Sequence, residues 1–276
     1  MNQKDRMLAD YHVHTEFSDD STEPMEDVVN QAIAINMDEI CFTDHVDYGI
    51  KVDHDEKQKP GQLLNVDYPN YFRKIAELTE KYQGQITLKQ GLEFGMQTHT
   101  IEKCQRIFDT YGLDFVILSC HQVRDMEFWT YDFQRGKTPD DYNAEYYREI
   151  YECVCQYNNY SVLGHLDMIQ RYNESLYPFE KSKGLITKIL ARVIADNKGI
   201  EVNTSSFRYG LKDLMPARDI LKLYHKLGGK IITIGSDCHK AIDLGDHIPY
   251  IKEELRKIGF THFCTFERML PIFHKL

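Results

Sequence analysis

The sequence predicts one α/β domain whose parallel strands close into a barrel, and three observations lead there. Short β-branched apolar runs alternate with amphipathic stretches along almost the whole chain. The alternation gives seven or eight βα units, which favour a closed barrel over an open sheet. The 276 residues, 42% of them hydrophobic, suit one large core, and no low-complexity tract, internal repeat or Pro/Gly/Ser-rich linker divides them. The expected domain therefore takes in residues 1–276.

Each element has a local reason. Leu8–His12 reads as a first strand, and Ser21-Thr22-Glu23-Pro24 opens a helix running to about Ile35, with proline tolerated in the first turn. Glu39–Thr43 is a second strand, Tyr68–Tyr82 a helix and Ile86–Phe94 a third strand. Thr100–Tyr111 is helical, Phe115–Ser119 a strand, Asp140–Tyr157 a long helix and Ser161–Leu163 a short strand. Lys183–Asn197 and Leu214–Leu227 are helices that precede the strands Gly199–Val202 and Lys230–Ile234. Ile248–Ile258 is a final helix, before a last strand near His262–Phe266. Two segments break the rhythm: the polar loop from Val46 to Asp67, and the stretch from Gln122 to Pro139 with the only tryptophan. Long loops in a compact domain often wall an active site.

Composition excludes several classes. The net charge of −10 disfavours a general nucleic-acid binder, because phosphate-backbone affinity comes from clustered Lys and Arg. No apolar run reaches the roughly 18 residues of a membrane span, and the polar N-terminus has no signal-peptide pattern, so no membrane partner and a cytoplasmic location are expected. The seven cysteines are scattered in apolar surroundings without a CxxC, as expected of buried reduced thiols. Nothing in the sequence sets the oligomeric state.

Metal-binding residue types gather at the strand ends. The first strand ends in His12-Val13-His14 and the second in Thr43-Asp44-His45; Glu93 closes the third. His121 and His165 follow the fourth and fifth, Asn203 and Arg208 the sixth, and Asp237 and His239 the seventh. Six of the twelve histidines occupy such positions. In a parallel barrel all these ends open onto one face, and residues i and i+2 on a strand point to the same side. An isolated HxH or a single histidine after a strand is usually a hydrogen-bonded surface residue. Six strand ends at once point to metal binding. The mixture of imidazole and carboxylate suits Zn, Mn or Fe.

These segments resemble a known family. His12-x-His14 followed by Thr15-x-Phe17-Ser18-x-Asp20-Ser21 is similar to the first motif of the PHP (polymerase and histidinol phosphatase) family. Thr43-Asp44-His45, Glu93, His121, Gly164-His165 and Gly235-Ser236-Asp237-x-His239 match its remaining motifs in order, over residues 8 to 240. Gly164-His165-Leu166-Asp167 through Arg171-Tyr172, and Glu201-Val202-Asn203-Thr204-Ser205 through Arg208, resemble the histidinol-phosphatase branch. The resemblance implies a distorted, TIM-like (β/α)7 barrel with up to three divalent ions. His12, His14, Glu93 and Asp237 would hold the first ion. Glu93 would bridge to a second, also held by His121 and His165. Asp20, His45 and His239 would hold the third, with Asp19 as the alternative to Asp20.

Three divalent ions outweigh three carboxylates, so an acidic protein would contain a local site for a phosphate dianion. The expected reaction is hydrolysis of a small phosphate monoester, most simply L-histidinol phosphate in histidine biosynthesis, by a hydroxide bridging the metals. Arg171 and Arg208 would add bidentate contacts to the phosphoryl group, so Arg208→Ala is expected to raise KM or lower kcat at least about tenfold with metal content intact. The loop Glu127–Phe133 offers aromatic and acidic groups to an imidazole and an ammonium, or packs on the barrel rim. Alternatives are a PHP-type phosphoesterase for a nucleotide or sugar phosphate, and a regulatory module that has lost activity. The second would show missing ligands, and none is missing.

Overall fold

The computed structural model describes residues 7–173 and 175–276; residues 1–6, the start of the polar N-terminal stretch, lie outside them. Among the described residues seven parallel strands lie side by side in chain order: β1 (Ala9–Val13), β2 (Glu39–Phe42), β3 (Thr87–Gly95), β4 (Phe115–Ser119), β5 (Val162–Leu163), β6 (Gly199–Asn203) and β7 (Ile232–Gly235). Helices α1 (Met25–Ala34), α2 (Tyr68–Lys81), α3 (Ile101–Thr110), α4 (Pro139–Gln156), α5 (Phe179–Ala195) and α6 (Arg218–Lys226) fall between successive strands, and α7 (Ile248–Ile258) follows the last. Every residue of β1, β2, β4, β6 and β7 is buried, as befits strands covered on both faces.

Closure between the first and last strands is made by few bonds. Asp237 N donates to His12 O at 2.8 Å and His14 N to Cys238 O at 3.0 Å, around a single Val13–Cys238 bridge. The barrel is also distorted at β3. Its first half, Thr87–Gln90, pairs with β2, and its second half, Gly91–Gly95, pairs with β4. Gly91 sits at this change of partner, where a Cβ would lie 2.8 Å from the Phe115 carbonyl oxygen and 3.0 Å from that of Phe42. The result is the distorted (β/α)7 barrel expected above.

The element boundaries mostly agree with the sequence reading, and the exceptions have local causes. Helix α5 starts at Phe179, after Pro178, four residues before the expected Lys183. Helix α6 starts at Arg218, because Met215 is tied to the end of β6 by Asn203 N donating to its carbonyl at 2.7 Å. Pro216 also disfavours helical backbone angles at the preceding Met215. The last strand, β8 (His262–Glu267), pairs antiparallel with an unexpected partner, β9 (Leu270–Lys275), rather than joining the barrel. This hairpin covers the amino-terminal ends of the barrel strands: Met269 N donates to Asp114 O before β4, and Phe266 N to the Tyr11 hydroxyl.

Six of the cysteines are buried and none is bridged, whereas Cys155 is exposed, on the solvent side of α4 two residues from buried Cys153. The tyrosines Tyr142, Tyr146 and Tyr147 of α4 face inward, as an amphipathic barrel helix requires. Among the described residues no helix is long and apolar enough to cross a membrane.

Candidate metal centre

The strand ends converge as parallel topology demands, and Glu93 stands at the middle. This carboxylate is 0% exposed. Its Oε2 lies 3.2 Å from His12 Nε2, 3.6 Å from His14 Nε2 and 2.9 Å from His45 Nδ1. Its Oε1 lies 2.8 Å from His165 Nε2 and 3.2 Å from His121 Nε2, and accepts from Ser119 Oγ at 2.6 Å. Five imidazoles thus meet one carboxylate. Asp237 joins them, with Oδ1 at 3.6 Å from His12 Nε2 and 3.4 Å from His14 Nε2.

The remaining pair of expected residues is close by. His239 Nε2 lies 3.1 Å and His45 Nε2 3.6 Å from Asp20 Oδ2. The neighbouring Asp19 turns away to an ion pair with Lys51. Among the described residues, five triplets of potential ligands bring their donor atoms within 4.8 Å of one another, including His12/His14/Glu93, Glu93/His121/His165 and His14/His45/His239. All nine side chains expected at the centre are therefore gathered at one mouth of the barrel.

Protons on the outer nitrogens decide what the inner ones can do. His12 Nδ1 donates to Glu201 Oε1 at 2.6 Å, and His121 Nδ1 to Asp47 Oδ1 at 2.7 Å. Ser18 Oγ donates to Asp44 Oδ1 at 2.7 Å, so it accepts from His14 Nδ1 at 3.1 Å. With Nδ1 carrying the hydrogen, a neutral ring presents a bare Nε2 lone pair inward. The inner atoms His12 Nε2, His14 Nε2, His239 Nε2 and Glu93 Oε2 are buried without a hydrogen-bond partner. Lone pairs facing lone pairs at such distances call for positive charge between them, and the mixed N/O donors would fit a divalent transition metal.

The electrostatics agree. Burial would raise the carboxyls of Glu93 and Asp237, yet His12 and the other imidazoles hold both well below the ordinary range. Burial would lower His121, but Glu93 and Asp47 push it up to about 9. His14 is driven well down by burial and by His45 and His239. The centre thus holds ionised carboxylates that attract positive charge, which divalent ions could supply in place of protons.

The cleft outside has a volume of about 500 Å³ and is lined by Asp20, His45, His121, Trp129, Arg171 and Tyr209 among others. Arg171 points at the cluster. Its Nη2 donates to Asp237 Oδ2 at 3.2 Å and Ser205 Oγ at 2.5 Å, and its guanidinium stacks 4.0 Å over the Tyr209 ring. Arg208 lies behind the same turn, where Nη2 donates to the carbonyls of Ser236 and Asp237, both at 2.6 Å. It therefore grips the main chain that carries Asp237 rather than lining the cleft. In the loop after His121, Phe128 and Phe133 are packed, but Trp129 is 64% exposed at the cleft wall beside Glu127. His54, in the acidic loop, bonds the Asn65 carbonyl through Nε2 and stays out of the cluster.

Sequence reasoning passed over the groups that brace this centre. Glu201, on β6, accepts from His12 and, through Oε2, from His165 N at 2.9 Å. It sits two residues before Asn203, on the same strand face, which was the available signal. Asp47 is likewise two residues after His45. Asp10 accepts from the amides of Ser236 (2.8 Å) and Gly245 (2.9 Å), fixing the turn that bears Asp237.

A distorted parallel barrel with a His/Asp/Glu cluster at the carboxyl ends of its strands is the architecture of a class of metal-dependent hydrolases. The chain belongs to the PHP domain family, whose sequence profile matches residues 10–205. Its relatives within that family are histidinol-phosphatases. The chain is 31% identical to the histidinol-phosphatase of Lactococcus lactis subsp. lactis (strain IL1403) over 264 residues, 94% of each chain. It is 28% identical to a probable histidinol-phosphatase of Thermotoga maritima, over 94% of this chain and 95% of that one. The crystal structure of the Lactococcus lactis histidinol phosphate phosphatase, complexed with zinc, L-histidinol and phosphate, superposes with a TM-score of 0.84 at 30% identity, covering 96% of this chain and 98% of that one.

Proposed function

We propose that this protein hydrolyses L-histidinol phosphate to L-histidinol and phosphate at a centre of up to three zinc ions. The observation that carries the reading is Glu93, whose two oxygens face five imidazoles, with its Oε2 and the Nε2 atoms of His12 and His14 buried and without a hydrogen-bond partner. The zinc, histidinol and phosphate bound by the Lactococcus lactis enzyme support the choice of metal and substrate; no comparison speaks for manganese or iron.

His12, His14, Glu93 and Asp237 would hold one ion, Glu93, His121 and His165 a second, and Asp20, His45 and His239 a third. Bound divalent ions supply Lewis acidity, lowering the pKa of water toward neutrality and offsetting charge on phosphoryl oxygens. Arg171 brings its guanidinium to the edge of the cluster, held in line by Asp237, Ser205 and the Tyr209 ring, and orients the phosphoryl group by charge-assisted hydrogen bonds. Arg208 holds the Ser236 and Asp237 carbonyls, and a contact with the phosphate through its remaining N–H groups is the alternative that the next variant tests. Arg208→Ala is accordingly expected to lower kcat/KM at least about tenfold, the worth of one charge-assisted contact. Zinc content measured alongside separates loss of a phosphate contact from displacement of Asp237.

At the outer end of the cleft, exposed Trp129 and the Glu127 carboxylate suit an imidazole and an ammonium. Trp129→Ala is expected to cost about three- to fivefold in kcat/KM on histidinol phosphate, the size of an exposed cation–π contact, and little on phenyl phosphate. Equal losses on the two substrates would make Trp129 a packing residue. The net charge of −10 speaks against a polynucleotide substrate, and the unbridged, mostly buried cysteines favour a reducing compartment such as the cytoplasm. The test of the whole reading is phosphate release by zinc-reconstituted protein from histidinol phosphate beside common sugar and nucleotide phosphates. Histidinol phosphate should lead; a tenfold preference for another ester would overturn the substrate and leave the chemistry standing.

A further inference from the structure

Lys51 has no part in the chemistry above, yet it is buried in the wall of the metal cleft with its side chain 6% exposed. A buried ammonium is costly unless it is paired. Lys51 Nζ lies 2.8 Å from Asp47 Oδ2 and also pairs with Asp19 Oδ1. Burial alone would lower its pKa, but the Asp47 and Asp19 carboxylates keep it above the ordinary value, so the charge is permanent.

Asp47 is the link to the metal centre. Its Oδ2 takes the lysine and its Oδ1 takes His121 Nδ1–H at 2.7 Å. Its main-chain N–H donates to Asn65 Oδ1 at 2.9 Å, so neither backbone nor carboxylate is free to turn. Gly95, at the end of β3, records how closely the pair is fitted. A Cβ there would stand 1.8 Å from Asp47 Oδ1 and 2.7 Å from His121 Nδ1. Space taken by this hydrogen bond, not backbone conformation, requires the glycine.

The two adjacent aspartates of the first loop are also sorted by the lysine. Asp19 is occupied by Lys51, while Asp20 faces His45 and His239. Without the ammonium, Asp47 would be a lone buried carboxylate one imidazole away from Glu93, with His45 Nδ1 at 3.9 Å as a competing partner. Its hold on His121 depends on the second oxygen being occupied.

We infer that Lys51 is a positioning residue for the metal centre, fixing the His121 imidazole through Asp47 and thereby setting the affinity of the cation shared by Glu93, His121 and His165. The inference rests on the metal centre proposed above. It assigns Lys51 no contact with substrate.

Lys51→Met keeps the length and apolar stem of the side chain and removes the charge. Zinc affinity is read by competition with a chromophoric chelator, zinc per chain by atomic emission, and kcat and KM at limiting and saturating zinc. The zinc proposed at Glu93, His121 and His165 is expected to loosen about 10- to 100-fold, the usual effect of losing a group that orients a ligand. Activity should return toward wild type as zinc saturates. Asp47→Asn should show the same loss, and the double variant little more than either, because the residues act in series. Wild-type zinc affinity in Lys51→Met, or additive losses in the double variant, would overturn the inference. So would a fall in kcat/KM that persists in saturating zinc at unchanged affinity, which would place Lys51 on the substrate. If Lys51→Met does not fold, Asp47→Asn and Gly95→Ala carry the test, and wild-type zinc affinity in both overturns it. A wild-type protein that takes up no zinc defeats the metal centre itself, and this inference with it.

Discussion

Glu93→Gln should lower kcat/KM on histidinol phosphate by at least about a thousandfold, equivalent to roughly 4 kcal/mol of transition-state stabilisation. The substitution preserves shape and removes a charge that five imidazoles surround. One half of the new amide would direct N–H groups at nitrogen or metal where a lone pair is needed. Because the two oxygens of Glu93 face different imidazoles, one proposed ion would lose its oxygen ligand and the other would keep only a neutral carbonyl, so added zinc should not restore the rate. Zinc per chain is expected to fall while the far-UV circular dichroism stays that of the wild type, since the side chain of Glu93 takes no part in the backbone pairing of its strand. Near wild-type turnover by Glu93→Gln would remove this carboxylate from the reaction.

Glu201 is expected to produce the second-largest effect although it touches no ion. It accepts from His12 Nδ1 and His165 N, and Asn203 Nδ2 lies 3.2 Å from Oε2, all inside a barrel closed to water. Glu201→Ala leaves two buried donors without acceptors and frees the His12 ring to change tautomer. Orienting groups of this kind are worth about 10- to 100-fold in metal affinity, and Glu201 serves two candidate ligands. Glu201→Gln should fall between alanine and wild type, because its single oxygen can satisfy only one of the two donors. The series is read as zinc affinity and as activity at limiting zinc. Equal affinity in all three proteins would show that His12 and His165 hold their places unaided.

Much of this architecture is visible in the amino-acid order because it rests on short-range patterns. The apolar runs at Glu39–Phe42, Phe115–Ser119 and Ile232–Gly235 read as strands from their own residues and are strands in the fold. The positions of His12, His14, His45, Glu93, His121, His165, Asp237 and His239 at successive strand ends then follow from parallel topology alone. What stays hidden depends on pairing between distant segments. The strand Leu270–Lys275 has Leu270, Ile272 and Phe273 exposed, so its sequence carries no core-facing alternation, and only its partner β8 defines it. Lys51 reads as one more polar loop residue until Asp19, from the end of the first strand, is brought beside it and its near neighbour Asp47. Arg208 likewise reads as a phosphate ligand after β6. Its grip on the Ser236 and Asp237 carbonyls appears only once β6 and β7 lie together. The choice between Asp19 and Asp20 turns on which of two adjacent side chains faces the histidines, and no local pattern decides that.

Crystals of zinc-loaded protein measured on both sides of the zinc absorption edge locate the ions directly. Anomalous peaks should appear around Glu93, with imidazole nitrogens and carboxylate oxygens at about 2.0–2.2 Å. One peak is expected among His12, His14 and Asp237, another beside His121 and His165, and a third between His45, His239 and Asp20. Crystals of a fully active preparation with no anomalous peak within reach of Glu93 would contradict a metal-dependent phosphatase built on these nine side chains.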